Sequence, residues 1–389
     1  MFPAASLLTI ILLALSIAAS PFQIRDSPIT LPIARRLNVS DGSINLLQYD
    51  KARVAALKAG YHLGSPPVTN VASYYIAKVG IGSPPTAYDL IVDTGSSNTW
   101  VGANTAYAVT STSVNTGQPV DVGYGSGFFS GTEYTDTITL GSGLTITKQS
   151  IGVSSFAVGF SGVDGILGIG PVGLTEGTLT NSPALTIPTV TDNLHSQGTI
   201  SQGVDTNGEL TFGGPDVFKY TGDIAYTPIT TTKPASAYWG INESITYGST
   251  TILSSTAGIV DTGTTLLYVA TDAYNKYKSE TGATLDGATG LLLVSSTQYS
   301  ALKNLNFNIG SNTFSLTPNA QIWPRSLNAP IGGSSKAIYL IVADIGTPSG
   351  SGFDFINGYT FLERFYSVYD TTNSRVGFAK TSYTDATTN

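Results

Sequence analysis

Two segments of this 389-residue chain each place an aspartate between an apolar run and a glycine turn. Residues 90–100 read LIVDTGSSNTW and residues 258–268 read GIVDTGTTLLY, so Asp93 and Asp261 are both followed by Thr-Gly and two small hydroxyl residues. One copy alone would be an ordinary turn in which the aspartate bonds its own backbone. Two copies with matching flanks need a further reason, because a buried carboxylate is costly unless hydrogen-bond donors surround it.

Two carboxyl groups held together can perform acid–base chemistry that one cannot. If the two halves of the chain are related by a pseudo-twofold axis, the turns can meet at that axis, and their glycines allow close backbone approach. Neighbouring carboxyls cannot both ionise readily, so the pair shares one proton, which belongs to neither residue alone. The carboxylate can then activate a water, while its protonated partner donates to a carbonyl under attack.

A second repeated feature supports two related halves. Each Asp-Thr-Gly is followed much later by an apolar pair and a glycine, in GILGIG at 165–170 and in FDFINGYTF at 353–361. Repetition at matching distances is the sequence signature of a duplicated unit. The chain is therefore expected to fold as two related lobes.

The composition favours strands over long helices. Only 11% of residues are charged, 41% are hydrophobic, and a chain of this length can bury the cores of two lobes. We predict an all-β, bilobal fold with an interlobe sheet and few short helices. One helix is expected to be capped by Thr271 and stopped by Gly282, a shorter one to begin at Thr297, and a hairpin to turn at Gly310.

The first 66 residues are expected to be a leader. An apolar run followed by small residues predicts a signal peptide over 1–19 and hence secretion. Residues 21–69 carry six basic and three acidic side chains, whereas residues 70–389 carry a net charge of −10. This asymmetry is consistent with a propeptide over 20–66 lying on an acidic cleft, with Lys58 as one candidate to neutralise the two aspartates, or with a solvated linker.

Several classes of function are disfavoured by the composition. The chain has no cysteine, which excludes thiol catalysis, zinc–thiolate sites and disulfides, and His62 and His195 are its only histidines. No Gly-x-Ser-x-Gly motif accompanies His195, so a catalytic triad is not expected, and neither is a metal or an organic cofactor. The acidic body disfavours nucleic acid, and no later segment is apolar enough to cross a membrane.

The doubled Asp-Thr-Gly motif resembles that of the pepsin-type aspartic endopeptidases, and within them the fungal polyporopepsin-like group, from about Tyr74 to Lys380. The resemblance implies a bilobal pepsin-like fold and Asp93 and Asp261 as the catalytic pair. It also implies six supporting residues, which would hold the two turns and the outer carboxylate oxygens: Thr94, Gly95, Ser96, Thr262, Gly263 and Thr264.

The resemblance further implies a substrate cleft. VGYGSGFFSG at 122–131 is similar to the family's flap, a hairpin that closes over bound peptide, with Tyr124 covering a pocket and bonding Trp100. Apolar pocket walls and backbone contacts would favour large hydrophobic side chains at the scissile bond. The expected substrate-binding residues are Tyr124, Gly125, Ser126, Trp100, Ile91, Tyr238 and Ile259, although the two isoleucines could also be core residues.

The sequence departs from the family at two points. Pepsin-like chains usually carry disulfides, which this chain lacks, and their Gly-Asp in the second lobe is Gly358-Tyr359 here. Neither departure touches the two aspartates. LPIARRLN at 31–38 is similar to the family's propeptide motif, and Asn242 begins a glycosylation sequon in the expected mature part.

These observations together predict a secreted, monomeric aspartic endopeptidase made as a zymogen and active in acid. The lobes are expected over 67–235 and 236–389. Protein or peptide substrates, statine-type inhibitors and its own propeptide are the expected partners. Two alternatives are an inactive paralogue that binds proteins or sugars, and a structural or carbohydrate-binding β protein, which would leave the paired turns and the flap unexplained.

Overall fold

The computed structural model describes residues 29–37, 45–59, 73–125, 127–141, 144–197, 204–206 and 209–388. The predicted signal segment over 1–19 lies outside these ranges, and the leader is described only by strand β1 and helix α1. The strands are β1 (Ile29–Leu37), β2 (Ser73–Ile81), β3 (Thr86–Asp93), β4 (Trp100–Val101), β5 (Val114–Gly123), β6 (Phe128–Gly141), β7 (Leu144–Val158), β8 (Gly165–Gly168), β9 (Val204–Thr206), β10 (Glu209–Phe212), β11 (Thr221–Pro228), β12 (Gly240–Tyr247), β13 (Thr250–Val260), β14 (Leu267–Val269), β15 (Thr284–Leu285), β16 (Leu292–Val294), β17 (Leu305–Ile309), β18 (Asn312–Leu316), β19 (Ile338–Leu340), β20 (Val342–Asp344), β21 (Phe355–Asn357), β22 (Phe365–Asp370) and β23 (Arg375–Lys380).

Helices are few and short in the described part of the chain, as predicted. The α-helices are α1 (Leu46–Ala59), α2 (Val190–Ser196), α3 (Thr271–Thr281), α4 (Ser296–Ser300) and α5 (Tyr359–Leu362). Four 3-10 turns lie at Val172–Thr175, Ala235–Ala237, Asn319–Gln321 and Arg325–Leu327.

The predicted cap of α3 is displaced by one residue. Ala270 is the N-cap, and Thr271 is instead the first helical residue. The Thr271 hydroxyl donates to the Asp344 carboxylate at 2.6 Å. Gly282 ends the helix in the left-handed region at φ 67°, which confirms the predicted stop. The shorter helix begins one residue before Thr297, after a capping box on Ser295.

The first lobe is built from strands β2 to β8. Its order runs β2-β3-β8-β4-β7-β6-β5, and an additional pairing of β2 with β6 curls the sheet on itself. Apolar side chains on its inner face form a separate core. The aspartate strand β3 is therefore central, with Leu90 and Val92 fully buried.

The second lobe is a seven-stranded sheet in the order β18-β17-β12-β13-β21-β14-β20. The hairpin predicted around Gly310 is confirmed: β17 pairs with β18, and Gly310 turns between them at φ 59°. The first-lobe strands belong to a larger, 13-stranded sheet, whose other end has the order β11-β23-β22-β9-β10. Through β1, this end joins the C-terminal strands to the first lobe. This order is the predicted interlobe sheet.

The two repeated segments take equivalent places in the two lobes. Strand β3 runs parallel to β8 with Asp93 opposite Gly168, and β13 runs parallel to β21 with Val260 opposite Asn357. In each lobe the later glycine is required by close backbone approach, since a Cβ on Gly358 would lie 2.2 Å from the Leu266 carbonyl. The repeat seen in the sequence is thus a repeat of a strand–turn unit that ends at an aspartate.

The leader strand β1 completes the large sheet. Residues Ile29–Pro32 pair with β10, and Ile33–Leu37 pair with β2. Strand β1 therefore lies between the interlobe strands and the first-lobe strands, and Leu31 is buried there. Residues 29–37 of the leader are therefore part of the folded body and not of a solvated linker.

Candidate active site

Asp93 and Asp261 are both buried, and each is held by donors from its own turn. The Gly95 N–H donates to Asp93 Oδ1 at 2.9 Å and the Ser96 hydroxyl to Oδ2 at 2.6 Å. In the second lobe the Gly263 N–H donates to Asp261 Oδ1 at 3.1 Å and the Thr264 hydroxyl to Oδ2 at 2.5 Å. These donors offset the cost of burying the carboxyl groups.

The two turns are joined to each other by the threonines at their tips. The Thr262 N–H donates to Thr94 Oγ1 at 2.9 Å, and the Thr94 N–H donates to Thr262 Oγ1 at 3.1 Å. The hydroxyl of Thr262 in turn donates to the Val92 carbonyl at 3.0 Å. All of these groups are buried, so the reciprocal bonds fix the spacing of the two aspartate turns.

The glycine of each turn faces the aspartate of the other lobe. A Cβ on Gly263 would lie 2.7 Å from Asp93 Oδ1, and one on Gly95 would lie 2.6 Å from Asp261 Oδ1. Only glycine can occupy these positions without displacing a carboxyl group. The sequence-predicted pair and its six supporting residues are therefore brought together at one point between the lobes.

A cation of the leader lies between the two carboxyl groups. One guanidinium nitrogen of Arg53 is 2.6 Å from Asp93 Oδ1 and 2.9 Å from Asp261 Oδ1, and its Nε is 2.8 Å from Asp261 Oδ2. The Arg53 side chain is 4% exposed, so these ion pairs are almost completely shielded from water. The guanidinium thereby bridges the carboxyl groups of the two lobes.

Lys58, the sequence-based candidate for this contact, is not the residue that makes it. Its ammonium donates instead to the Thr347 hydroxyl at 2.6 Å and to the Ile345 carbonyl at 3.4 Å. Burial lowers the pKa of Lys58, and the charges of Asp354 and Asp344 oppose that change. The correction follows from the helix: five residues turn the side chain about 140° around the axis, so Arg53 and Lys58 face different walls.

Helix α1 is anchored on both sides of Arg53. The carboxylate of Asp50 accepts the Leu266 N–H at 2.8 Å and the Thr265 N–H at 3.2 Å, just beyond the Asp261 turn. Near the helix end, the Tyr238 hydroxyl donates to the Leu57 carbonyl at 2.6 Å. The helix thus lies along the second-lobe wall with its arginine at the aspartates.

The environments of the carboxyl groups differ. Burial raises the pKa of Asp93, and the Asp261 charge adds to this, while Arg53 opposes it. Burial acts in the same direction on Asp261, but the charge and hydrogen bonds of Arg53, together with the hydrogen bonds from Thr264 and Gly263, outweigh it and lower the pKa of Asp261. Burial raises the pKa of Asp50 to about 7 against the pull of its backbone hydrogen bonds. Two adjacent carboxyls with opposite shifts are typical of a catalytic site.

The hairpin of β5 and β6 covers the leader helix. At its tip the Tyr124 N–H donates to the Gly127 carbonyl at 2.7 Å. Gly125 has a φ of 67°, and a Cβ there would lie 2.5 Å from the Ala52 carbonyl and 2.7 Å from the Ala56 methyl. The hairpin is therefore closed on α1, with glycine required at the contact.

Comparisons with known proteins identify the family of the chain. The sequence profile of the family described as "Eukaryotic aspartyl protease" matches residues 74–381. The chain belongs to the aspartyl protease family. Polyporopepsin of Irpex lacteus is 63% identical over 339 residues, which are 84% of this chain and 99% of that protein. Gastricsin of Cavia porcellus is 32% identical over 80% of this chain and 82% of that protein.

A solved structure has the same fold as this aspartic protease. The crystal structure of an aspartic proteinase from Irpex lacteus superposes with a TM-score of 0.81 at 56% identity, covering 93% of this chain and all of that one. The predicted all-β bilobal pepsin-like fold is thereby confirmed. The protein is an aspartic-type endopeptidase, a hydrolase whose substrates are peptides.

Three of the predicted contact residues, Trp100, Ile91 and Ile259, are buried in the core cluster that also contains side chains of helix α1. Trp100 stacks on Phe129 at 4.3 Å and on Tyr124 at 6.3 Å between ring centroids, so it packs against the predicted flap tyrosine. Ile91 and Ile259 lie on the aspartate strands and are buried in the same core cluster. Ser126 lies outside the described residues. Whether these side chains contact substrate stays a prediction.

Burial raises the pKa of Tyr124, and the Asp93 charge adds to the rise. Burial likewise raises the pKa of Tyr238 well above its ordinary value. Both phenols therefore remain neutral hydrogen-bonding groups at any acidic or neutral pH. Asn242 is exposed on β12, where its side-chain oxygen accepts the Thr230 hydroxyl at 2.9 Å.

Sequence reasoning did not identify Arg53 or Asp50, which contact the aspartate pair and the segment after Asp261. A signal was present, because YDKAR places an acid and an arginine three residues apart, on one face of a helix. Among the described residues no group of three or more His, Cys, Asp or Glu side chains could hold a metal ion. None of the helices in the described ranges has the length and apolar character of a membrane span.

Proposed function

We propose that this protein is the precursor of a secreted aspartic endopeptidase in which Asp93 and Asp261 form the catalytic pair. The observation that carries the proposal is that both carboxyl groups bond one nitrogen of Arg53, each held by its own Asp-Thr-Gly turn. Two carboxyl groups converging on one atom from different lobes have the arrangement that shared-proton chemistry needs. The family membership of the chain supports the same assignment.

In the proposed reaction the pair holds one proton once the arginine has left. The ionised carboxyl removes a proton from a water, which attacks the carbonyl of the scissile peptide bond. The protonated carboxyl donates to the carbonyl oxygen as it gains negative charge, and the pair then returns a proton to the leaving amine. Ser96 and Thr264 keep the outer oxygens oriented, while Gly95 and Gly263 donate to the inner ones.

The leader is proposed to act as an intramolecular inhibitor. Arg53 occupies the carboxyl pair, Asp50 occupies two backbone N–H groups of the second lobe, and the flap closes on Ala52 and Ala56. A peptide substrate needs the same space, so the docked helix and substrate exclude each other. Residues 20–66 are the proposed propeptide and 1–19 the proposed signal peptide, which implies secretion.

The proposed mature enzyme has lobes over 67–235 and 236–389 and acts as a monomer. Its cleft would bind an extended peptide through backbone groups of the flap and of the second lobe. Ile91, Ile259, Tyr124 and Tyr238 supply apolar surface near the pair, which favours large hydrophobic side chains at the scissile bond. Asn242 is the proposed glycosylation site, exposed on the second-lobe surface.

The test uses the secreted full-length protein and the variants Asp93→Asn and Asp261→Asn. On acidification the wild type should shorten to a product beginning near residue 67, as read by N-terminal sequencing, and then cleave a peptide library beside hydrophobic residues. A statine-type peptide should block the cleavage. Both variants should remain folded by circular dichroism and inert. Normal cleavage by either variant would refute the catalytic assignment.

A further inference from the structure

A glutamate is buried beneath the strand that leads to Asp261. Glu243 lies on β12 and Asn357 at the end of β21, and both are at most 1% exposed. These strands flank β13, at whose end Asp261 stands. The Asp261 N–H donates to the Asn357 carbonyl at 3.2 Å. Glu243 and Asn357 therefore belong to the support of the second aspartate turn and not to the substrate cleft.

The hydrogen bonds of this pair are half complete. The Asn357 amide nitrogen donates to Glu243 Oε2 at 2.9 Å. The other oxygens of the two groups, Glu243 Oε1 and Asn357 Oδ1, accept no hydrogen bond from the described residues and are shut off from solvent. Two unsatisfied acceptors in one buried pair are costly, and such groups are rare in folded proteins.

One proton satisfies both orphaned oxygens. We infer that Glu243 is a neutral carboxylic acid whose O–H donates to Asn357 Oδ1, closing a two-bond acid–amide ring that holds the second lobe together only while the proton is present. The proton sits on Oε1, and the amide nitrogen returns the second bond to Oε2. Loss of that proton leaves an ionised carboxylate facing a carbonyl oxygen in an enclosed site.

The first lobe shows that polar groups are not needed at these positions. Ile91 and Ile259 each lie two residues before their aspartate, and they pair with Ile76 of β2 and Gly240 of β12, which are therefore equivalent positions. Three residues farther along these strands, Val79 of β2 corresponds to Glu243 of β12. Counting from the equivalent glycines, Leu167 corresponds to Asn357. Val79 and Leu167 are both fully buried apolar residues. The second lobe therefore replaces an apolar contact with a proton-dependent one.

Within the part of the chain that the structure describes, no charged side chain opposes the effect of burial on Glu243. Burial raises the pKa of Glu243 to about 8, and only the Asn357 bond opposes it. On the neighbouring segments, Asp354 is bonded by Thr256, Gly350 and Ser351, and Asp261 by its own turn and Arg53. The Tyr247 hydroxyl of the same strand accepts the Lys303 N–H. None of these groups reaches Glu243.

The sign of the effect follows from the raised pKa. Stability from this pair is fully present below the ordinary pKa of a glutamate and is lost as the pH rises through about 8. Glu133 of the first lobe has its pKa raised by burial to about 7 and adds a smaller loss of the same sign. Neutral pH should thus damage the fold itself, independently of any change in the catalytic pair.

The test measures thermal unfolding of the full chain between pH 5 and pH 8, in an Asp93→Asn background that prevents self-digestion. Glu243→Gln keeps the shape and donates from its amide to Asn357 Oδ1 without a titrating proton. It should melt within a degree or two of its parent at pH 5, and on the order of 5 °C above it at pH 8. Glu176→Gln removes an exposed charge and should change neither value.

Two further variants separate the ring from general packing. Asn357→Leu leaves the buried glutamate without its amide partner and should lower the melting temperature at every pH. The first-lobe pair, Glu243→Val with Asn357→Leu, should fold and show the same reduced pH dependence as Glu243→Gln. The infrared band of protonated carboxyl groups should be weaker in Glu243→Gln than in the parent at the same pH, because one protonated carboxyl group has been removed. A Glu243→Gln profile parallel to that of the parent, or an unchanged infrared band, would overturn the inference.

Discussion

Gly95 of the first lobe lies against Asp261 of the second, so closely that a Cβ on Gly95 would be 2.6 Å from the Asp261 Oδ1 atom. The reverse approach, of Gly263 to Asp93, is 2.7 Å. Each lobe therefore shapes the carboxyl group that the other lobe supplies. In the catalytic proposal both glycines determine the active-site geometry, although neither residue has a side chain that could take part in the reaction.

Gly95→Ala in the mature enzyme should lower kcat by on the order of a hundredfold, because a carboxyl group displaced by about 1 Å no longer fits the reacting geometry. Gly173→Ala is the matched control, since its Cβ would meet no atom within 4 Å. The measurement is steady-state cleavage of one peptide by both variants. Equal kcat values for Gly95→Ala and the control would contradict the proposed role of the turn.

Arg53→Gln should weaken the inhibition by the leader. The substitution removes three buried charged hydrogen bonds, so the precursor should convert at a higher pH and on the order of tenfold or more faster. Lys51→Gln, on the exposed face of the same helix, should convert like the wild type. Conversion is followed by gel electrophoresis at a series of pH values. If Lys58→Gln accelerated conversion more than Arg53→Gln did, Arg53 would not make the principal inhibitory contact of the leader.

Thr94→Val should destabilise the protein by about 1–3 kcal/mol, because it removes the hydroxyl that accepts the buried Thr262 N–H and leaves that group unpaired. Thr94→Ser retains the oxygen and should lose less. Urea unfolding of the three precursors measures the difference. A Thr94→Val variant as stable as Thr94→Ser would show that the reciprocal bonds contribute little.

Asp50 should make docking of the leader depend on pH in the opposite sense to Asp261. Its raised pKa means that its contribution is fully present below the ordinary aspartate value and is lost as the pH rises through about 7. The lowered pKa of Asp261 gives stability above the ordinary value that is lost as the pH falls. Release of the leader is therefore expected only below about pH 4, where the second effect dominates.

Asp50→Asn tests whether Asp50 and Asp261 have these opposite effects on the pH dependence of leader docking. Without the titrating group, the melting temperature of the precursor should change less between pH 5 and pH 8 than that of the wild type, while conversion should still require strong acid. Differential scanning calorimetry and a conversion assay give the two readouts. A steeper pH dependence in Asp50→Asn would show that the carboxylate is ionised in the docked leader.

The aspartate turns could be predicted from sequence because their chemistry is local. Within seven residues the motif contains the acid, the glycine and the hydroxyl that bond one another, and its repetition identifies the partner. Arg53 could not be identified in the same way, because which face of α1 meets the carboxyl pair depends on how the helix docks. A charge count placed a basic leader on an acidic body but could not choose between Arg53 and Lys58.

For the Glu243–Asn357 pair, the sequence predicts the burial of one residue but not its contact with the other. Alternation along β12 puts Glu243 on the same face as Ile241 and Ile245, so its burial was readable from the sequence. Its partner was not, since Asn357 lies more than a hundred residues away and on a strand that is not adjacent. Predicting the contact required the strand order of the second lobe, which only the folded chain provides.

Because β1 is paired within the large sheet, the proposed maturation requires this strand to leave the sheet in addition to cleavage of the chain. Residues 29–32 of this strand are bonded to β10 and residues 33–37 to β2. In the proposed maturation, departure of β1 would expose unpaired amide and carbonyl groups on both partner strands, which are ready templates for association with other chains. The proposed mature enzyme would have to pair or shield these groups to remain soluble at high concentration.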